Sequence, residues 1–174
     1  MSFEKSFLKE ITTRFIGYKT LAEKCFEQLE NSDFHSTTNS NNNSIAIIIK
    51  HMAGNMKSRF TNFLTEDGEK EWRQRDTEFE INNLSKEDLL ILWNEGWNCV
   101  LNAISSINEP NIQQNIFIRN EPLTISDALL RQLSHYSYHI GQIITIARII
   151  KNDDWKSLSI PKGKSNEYNQ QIIK

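Results

Sequence analysis

Two histidines, His135 and His139, stand four residues apart in the stretch RQLSHYSYHIGQII. On a helix that spacing puts both rings on one face, one turn apart, where they can bind a single metal ion side by side. Two ligands rarely make a tight site, so a third partner must come from elsewhere in the chain. Of the other two histidines, His35 falls in a polar loop, where a histidine is ordinarily solvated, and His51 falls inside an apolar, helix-patterned stretch. The expected ligand set is therefore His51, His135 and His139. Three neutral imidazoles on one ion leave positions open for water or substrate, which is how catalytic metal sites differ from closed structural ones. Imidazole suits zinc, nickel, copper and iron, so the expected cofactor is one divalent ion, zinc, nickel or similar. Histidine pairs at this spacing also arise by chance on solvated helix faces. Against that, His135 and His139 share a stripe with Ala128, Ile146 and Ile150 and should face inward, where polar groups need partners.

Three further residues are candidates for substrate contact or ligand support. Asn55 lies one turn beyond His51, Arg59 lies two turns beyond it, and Arg119 sits in the segment IFIRNEP. Either arginine could meet an anionic substrate near a metal, although ion-paired surface arginines are the commoner case. Several sharper chemistries fail on the residues. A zinc protease of HExxH type needs Glu after the first histidine, and Tyr136 stands there. A ferritin-like di-iron site needs Glu-x-x-His, and Gln132 and Ile48 occupy the Glu positions. The tail PKGKS lacks the glycine of a phosphate loop, with Leu158 in its place, and no GxSxG elbow occurs.

These residues need helices to position them, and the pattern supplies four. Phe7, Ile11, Phe15, Tyr18, Ala22, Cys25 and Leu29 recur at steps of three and four, which predicts a helix over 3–31. A polar Asn/Ser loop, 31–44, follows. Ser44 is a good N-cap for a second helix carrying Ile45, Ile48, Ile49, Met52, Met56 and Phe63, broken at Gly68. The charge-dense stretch 64–76 reads as a solvated connection. Ser85 with Asp88, and Thr124 with Asp127, have capping spacing before a third and a fourth helix. Between these helices, 111–122 predicts a short extended arm or hairpin, and the residues after Lys151 read as an irregular tail. Four long helices in one domain, 1–174, point to an all-α bundle.

Composition sets limits on partners. The 174 residues are 38% hydrophobic and 24% charged, an ordered globular composition. A net charge of −2 argues against a nucleic-acid protein. The longest clean apolar run, Ile45 to Ile49, is too short to span a membrane, and no leader pattern is visible, so a cytoplasmic location is expected. Cys25 and Cys99 lie in apolar helical contexts without CxxC spacing and are expected as buried reduced thiols.

The chain resembles the DinB superfamily of metal-binding helical proteins, and more narrowly a branch known as a domain of unknown function. The stretches that carry the resemblance are NSIAIIIKHMAGNMKSRFTNFLTEDGEKEWRQRDTEF, GWNCV, IRNEPLTISDALLRQLSHYSYHIGQI and WKSLSIPKGKS. It implies a four-helix bundle of up-down-down-up type. It also implies a mononuclear metal on one histidine of the second helix and an HxxxH of the last, here His51, His135 and His139. The superfamily is similar to thiol-dependent transferases and isomerases, which implies a small-molecule thiol partner, and homodimers are common in it. Two functions follow as expectations: a metal-dependent transferase or hydrolase, or a non-catalytic, stress-related bundle acting through protein association.

Overall fold

The computed structural model describes residues 1–174 except 38, 40, 81, 82, 173 and 174, so part of the 31–44 loop and the end of the tail lie outside the described residues. The chain is mostly helical. Helices α1 (Phe3–Phe26), α2 (Ile45–Phe60), α3 (Lys86–Ser105), α4 (Ile125–Lys151) and α5 (Ser165–Ile172) are joined by short 3-10 turns and one antiparallel hairpin, β1 (Asn115–Ile118) with β2 (Glu121–Thr124). Among the described residues no helix is long and apolar enough to cross a membrane.

Side-chain caps set the helix starts. Ser44 Oγ accepts from Ile47 N, Thr124 Oγ1 from Asp127 N, and Ser85 with Asp88 forms a reciprocal capping box. α4 ends at Lys151 as expected, but the ends of α1 and α2 fall earlier than hydrophobic spacing alone suggests. α1 stops at Phe26 rather than near residue 31; Leu29 and Phe34 are still buried, but from a 3-10 turn, Asn31–His35. α2 stops at Phe60 because Asn62 takes a left-handed conformation, φ 49°, which turns the chain away; Phe63 is buried from the loop beyond. The expected extended arm is the β1–β2 hairpin, with Ile116 opposite Leu123. The tail, expected to be irregular throughout, contains α5, whose described side chains, 165–171, are all exposed, which is why hydrophobic periodicity does not reveal it.

α2 packs along α3 and also against α4, while α1 packs on α4 and α3. Gly96 makes the α2–α3 contact close: a Cβ there would lie 3.0 Å from Met56 Sδ and 3.1 Å from Ala53 Cα. Edge-on aromatic pairs knit the remaining faces, Phe15 to Trp97 at 6.3 Å, Phe15 to Tyr136 at 6.0 Å and Trp97 to Tyr136 at 5.7 Å between centroids. Each such pair adds about 0.5–1.5 kcal/mol beyond its buried area. This cluster fixes α4 against α1 and α3, and so fixes the azimuth at which α4 presents its histidines. Cys25 is buried and Cys99 partly so, and neither is in a disulfide.

Candidate metal centre

The core face of α4 is the row Leu129, Tyr136, Ile140, Ile143 and Ala147, all buried. His135 and His139 belong to the adjoining row and are half-buried, at the margin of the core and not inside it. His51 on α2 is buried and faces them across the α2–α4 contact. The three rings converge. His139 Nε2 lies 3.0 Å from His135 Nε2, which lies 3.4 Å from His51 Nε2, and the ligand nitrogens of all three fall within 4.8 Å of one another. Zinc–nitrogen bonds of about 2.0–2.1 Å, at tetrahedral or right angles, put neighbouring ligand nitrogens about 2.8–3.4 Å apart. The spacing therefore suits one small ion.

Hydrogen bonds to the opposite ring nitrogens determine which atom of each ring is free. His51 Nδ1 donates to Glu78 Oε2 at 2.9 Å. Burial pushes the Glu78 carboxyl up, but its hydrogen bonds from His51 and Arg73 and the Arg73 charge outweigh that and hold it below the usual value. Glu78 is thus an anion that only accepts, so the His51 Nδ1 proton points to it and the ring's metal-binding lone pair falls on Nε2. On the α4 side, Gln142 Nε2 donates to Tyr138 Oη at 3.1 Å, which turns Gln142 Oε1 towards His139 Nδ1 at 2.8 Å. His139 Nε2 is thereby also left as an acceptor. Burial, then the neighbouring His139 and His51, push His135 down to about 3, and burial foremost pushes His139 below its ordinary value. Both rings are therefore neutral at physiological pH, the state that binds metal. The Nε2 acceptors of His51 and His139 both face His135 Nε2, so a proton or a cation must lie between the rings, and the donor set fits a metal ion.

Glu78 reaches His51 because α2 has glycine at position 54. A Cβ at Gly54 would lie 2.2 Å from Glu78 Oε1. Arg73 clamps the same carboxylate from its outer side, Nε to Oε1 at 2.8 Å and Nη2 to Oε2 at 2.9 Å. Arg73 and Lys70 are buried side chains, so the charge-dense stretch 64–76 is not simply a solvated connection. It folds back over α2 and supplies the support for His51.

Asn55, Arg59 and Arg119 line a cavity of about 260 Å³ whose wall includes His51 and His135. Asn55 is buried and accepts from Tyr136 Oη at 3.1 Å. Arg59 is buried, donating to the Gly68 carbonyl and to Glu69 Oε2 at 3.0 Å. Arg119 is exposed and donates to the same Glu69 oxygen at 2.8 Å. Its place depends on the hairpin turn: Arg119 and Asn120 both have positive φ, 56° and 61°, and the Asp67 carboxylate accepts both of their amides. A larger groove of about 640 Å³ lies beyond Tyr138 and Gln142, but it touches none of the three histidines and carries no charged wall. The smaller cavity is the one that bears on their chemistry. His35, expected to be solvated, is half-buried with Nε2 against the Leu84 carbonyl at 2.9 Å, away from the cluster.

Glu78, Gln142 and Arg73 escape the sequence reading. Gln142 lies three residues after His139, a spacing at which helical side chains meet, and could have been found that way. Glu78 and Arg73 come from a loop whose path no periodicity describes.

The fold and site define a mostly helical protein in which three histidines could hold a metal ion. The chain belongs to a family of proteins of unknown function, DUF1572, whose family model matches residues 2–164. No curated protein matches the chain, and no solved structure does.

Proposed function

We propose that the protein is a metal-dependent enzyme of the DinB superfamily, with one divalent ion on His51, His135 and His139. The observation that carries this reading is the convergence of three Nε2 atoms, two of them on rings whose Nδ1 is engaged by a dedicated acceptor. Such acceptors orient ligand rings and raise their basicity. With three protein ligands a divalent ion retains an open position, where it lowers the pKa of a thiol or a water and so supplies a nucleophile at neutral pH. The protein's own part is then to keep His135 and His139 neutral through burial, to aim His51 and His139 through Glu78 and Gln142, and to hold the second reactant in the adjoining cavity. The reaction class is transfer to a small-molecule thiol, or hydrolysis.

The pairing of α1 with α4 and of α2 with α3 and α4 supports a four-helix bundle of up-down-down-up type. Free thiols at Cys25 and Cys99 suit a reducing, cytoplasmic setting. Leu130, Tyr138 and Ile149 leave exposed apolar surface along α4 that suits a homodimer. Elemental analysis of purified protein tests the metal reading: about one divalent ion per chain is expected in the wild type and a large loss in His135→Ala. Equal metal content in the two would sink it.

A further inference from the structure

The cavity beside the histidines has a wall chemistry that metal binding alone does not use. Five guanidinium groups, from Arg59, Arg73, Arg75, Arg119 and Arg131, line it, and no carboxylate does. Three carboxylates meet these cations from outside the wall. Glu69 is shared by Arg59 and Arg119, Glu78 is taken by Arg73 and His51, and Asp76, itself fully exposed, lies 3.9 Å from Arg75. Among the described residues Arg131 forms no ion pair. Positive charge is thus in surplus around a small volume. Two of the cations cannot swing away, because the side chains of Arg59 and Arg73 are only 6% and 2% exposed. Buried like charges are costly unless an anion joins them.

A second observation is independent of charge. Gln132 is 3% exposed and lines the same cavity, and its Oε1 has no hydrogen-bond partner among the described residues. Buried amide oxygens are nearly always satisfied, so this one calls for a donor from whatever occupies the cavity. We infer that the cavity binds a small oxyanion, a carboxylate or phosphoryl group that also carries a hydroxyl, with the guanidinium groups on the oxyanion and Gln132 on the hydroxyl. Planar guanidinium forks match both kinds of oxyanion. At about 260 Å³ the space suits a small metabolite, being smaller than the roughly 300–1,000 Å³ of most ligand pockets. Because His51 and His135 form part of the wall, the anion would hold its substrate against the metal. That assignment of the anion as a substrate handle rests on the metal reading. The binding itself does not.

The test separates the two. Metal-free wild-type protein is titrated with inorganic phosphate and, separately, with glycolate, at constant ionic strength, following the amide and side-chain NMR signals of the cavity. Saturable binding of either probe, stronger than that of chloride, is expected, and the better probe identifies the oxyanion. Arg131→Gln, an exposed change that breaks no ion pair, should weaken binding about tenfold, in line with the loss of one hydrogen bond to a charged group, and should leave metal content unchanged. Arg14→Gln, on the exposed face of α1, should change neither. His139→Ala, which removes a metal ligand but no part of the cavity wall, should lose metal and keep the anion. Binding no stronger than chloride, binding indifferent to Arg131→Gln, or binding that disappears in His139→Ala would each overturn the arginine cavity. Unchanged metal in His139→Ala with intact anion binding would instead overturn only the metal reading.

Discussion

At the scale of single residues, the site depends less on the histidines than on what holds them. Gly54 is the sharpest case. In the middle of α2 an alanine would favour the helix by about 1 kcal/mol on propensity alone. Here its methyl would enter the space of the Glu78 carboxylate, which Arg73 and His51 hold from two other sides. The expected outcome for Gly54→Ala is a folded protein whose metal affinity falls about 10- to 100-fold, the usual cost of losing a carboxylate behind a metal-binding histidine. Competitive titration against a chromogenic chelator measures it, and Glu78→Gln should give a loss in the same range. An unaltered affinity in both variants would mean that Glu78 does not orient His51. The three clustered histidines are legible because helical spacing pairs His135 with His139 and His51 is the other histidine in a helix-patterned stretch. Glu78 was not, because its contact with His51 spans 27 positions and passes through a loop.

At the scale of elements, four helix starts could be read from polar caps and hydrophobic spacing, since both are local. The end of α4 at Lys151 could be read as well; the ends of α1 and α2 and the path of residues 61–80 could not, because they follow from turn conformations such as left-handed Asn62 and from long-range ion pairs. The β1–β2 hairpin shows how much of the site depends on such contacts. Its turn residues, Arg119 and Asn120, offer two amides to Asp67; burial pushes that carboxyl up, but the amides of Glu69, Asn120 and Arg119 and the Arg59 charge together outweigh it and hold it below its ordinary value. Gly68 N also donates to the Phe117 carbonyl at 2.8 Å, so the hairpin and the 61–70 loop dock as one unit. Asp67→Ala should therefore cost about 1.5–3 kcal/mol, the range for hydrogen bonds to a charged group, seen as a lower midpoint in urea with an unchanged slope. Because Arg119 is carried on that turn, the same variant should also weaken anion binding in the cavity while leaving the metal in place. A stability loss with undiminished anion binding would show that Arg119 reaches the cavity without the hairpin's help.

At the scale of the whole molecule, a metal bound as proposed would act on the same α2–α4 contact as protons, and the two effects can be separated. Anything that binds only the folded chain stabilises it, by about 2.7 kcal/mol when free metal is about 100 times its Kd. For a chain of this size that corresponds to roughly 5–10 °C in Tm. Adding a chelator should lower Tm by that order in the wild type and by little in His139→Ala. Acid should destabilise the chelated protein for a different reason. His135 has an ordinary value of 6.5 and is pushed down to about 3 in the fold, chiefly by burial. Between those values the unfolded chain binds the proton and the folded chain does not, so stability is lost progressively as pH falls from 6.5 towards 3 and is unaffected by this group above that window. His139, also lowered, acts with the same sign. Glu78, lowered as well, adds stability that is present above the ordinary carboxylate value of 4.5 and is lost below it. The chelated wild type should thus hold a constant Tm above the histidine window and lose stability steadily through it. His135→Gln, which has no proton to gain, should lose measurably less over the same range. Parallel curves for the two proteins, followed by circular dichroism in chelator, would mean that His135 is as free to take up a proton in the fold as in the unfolded chain. The packing of α4 against α2 described here would then be wrong at its centre.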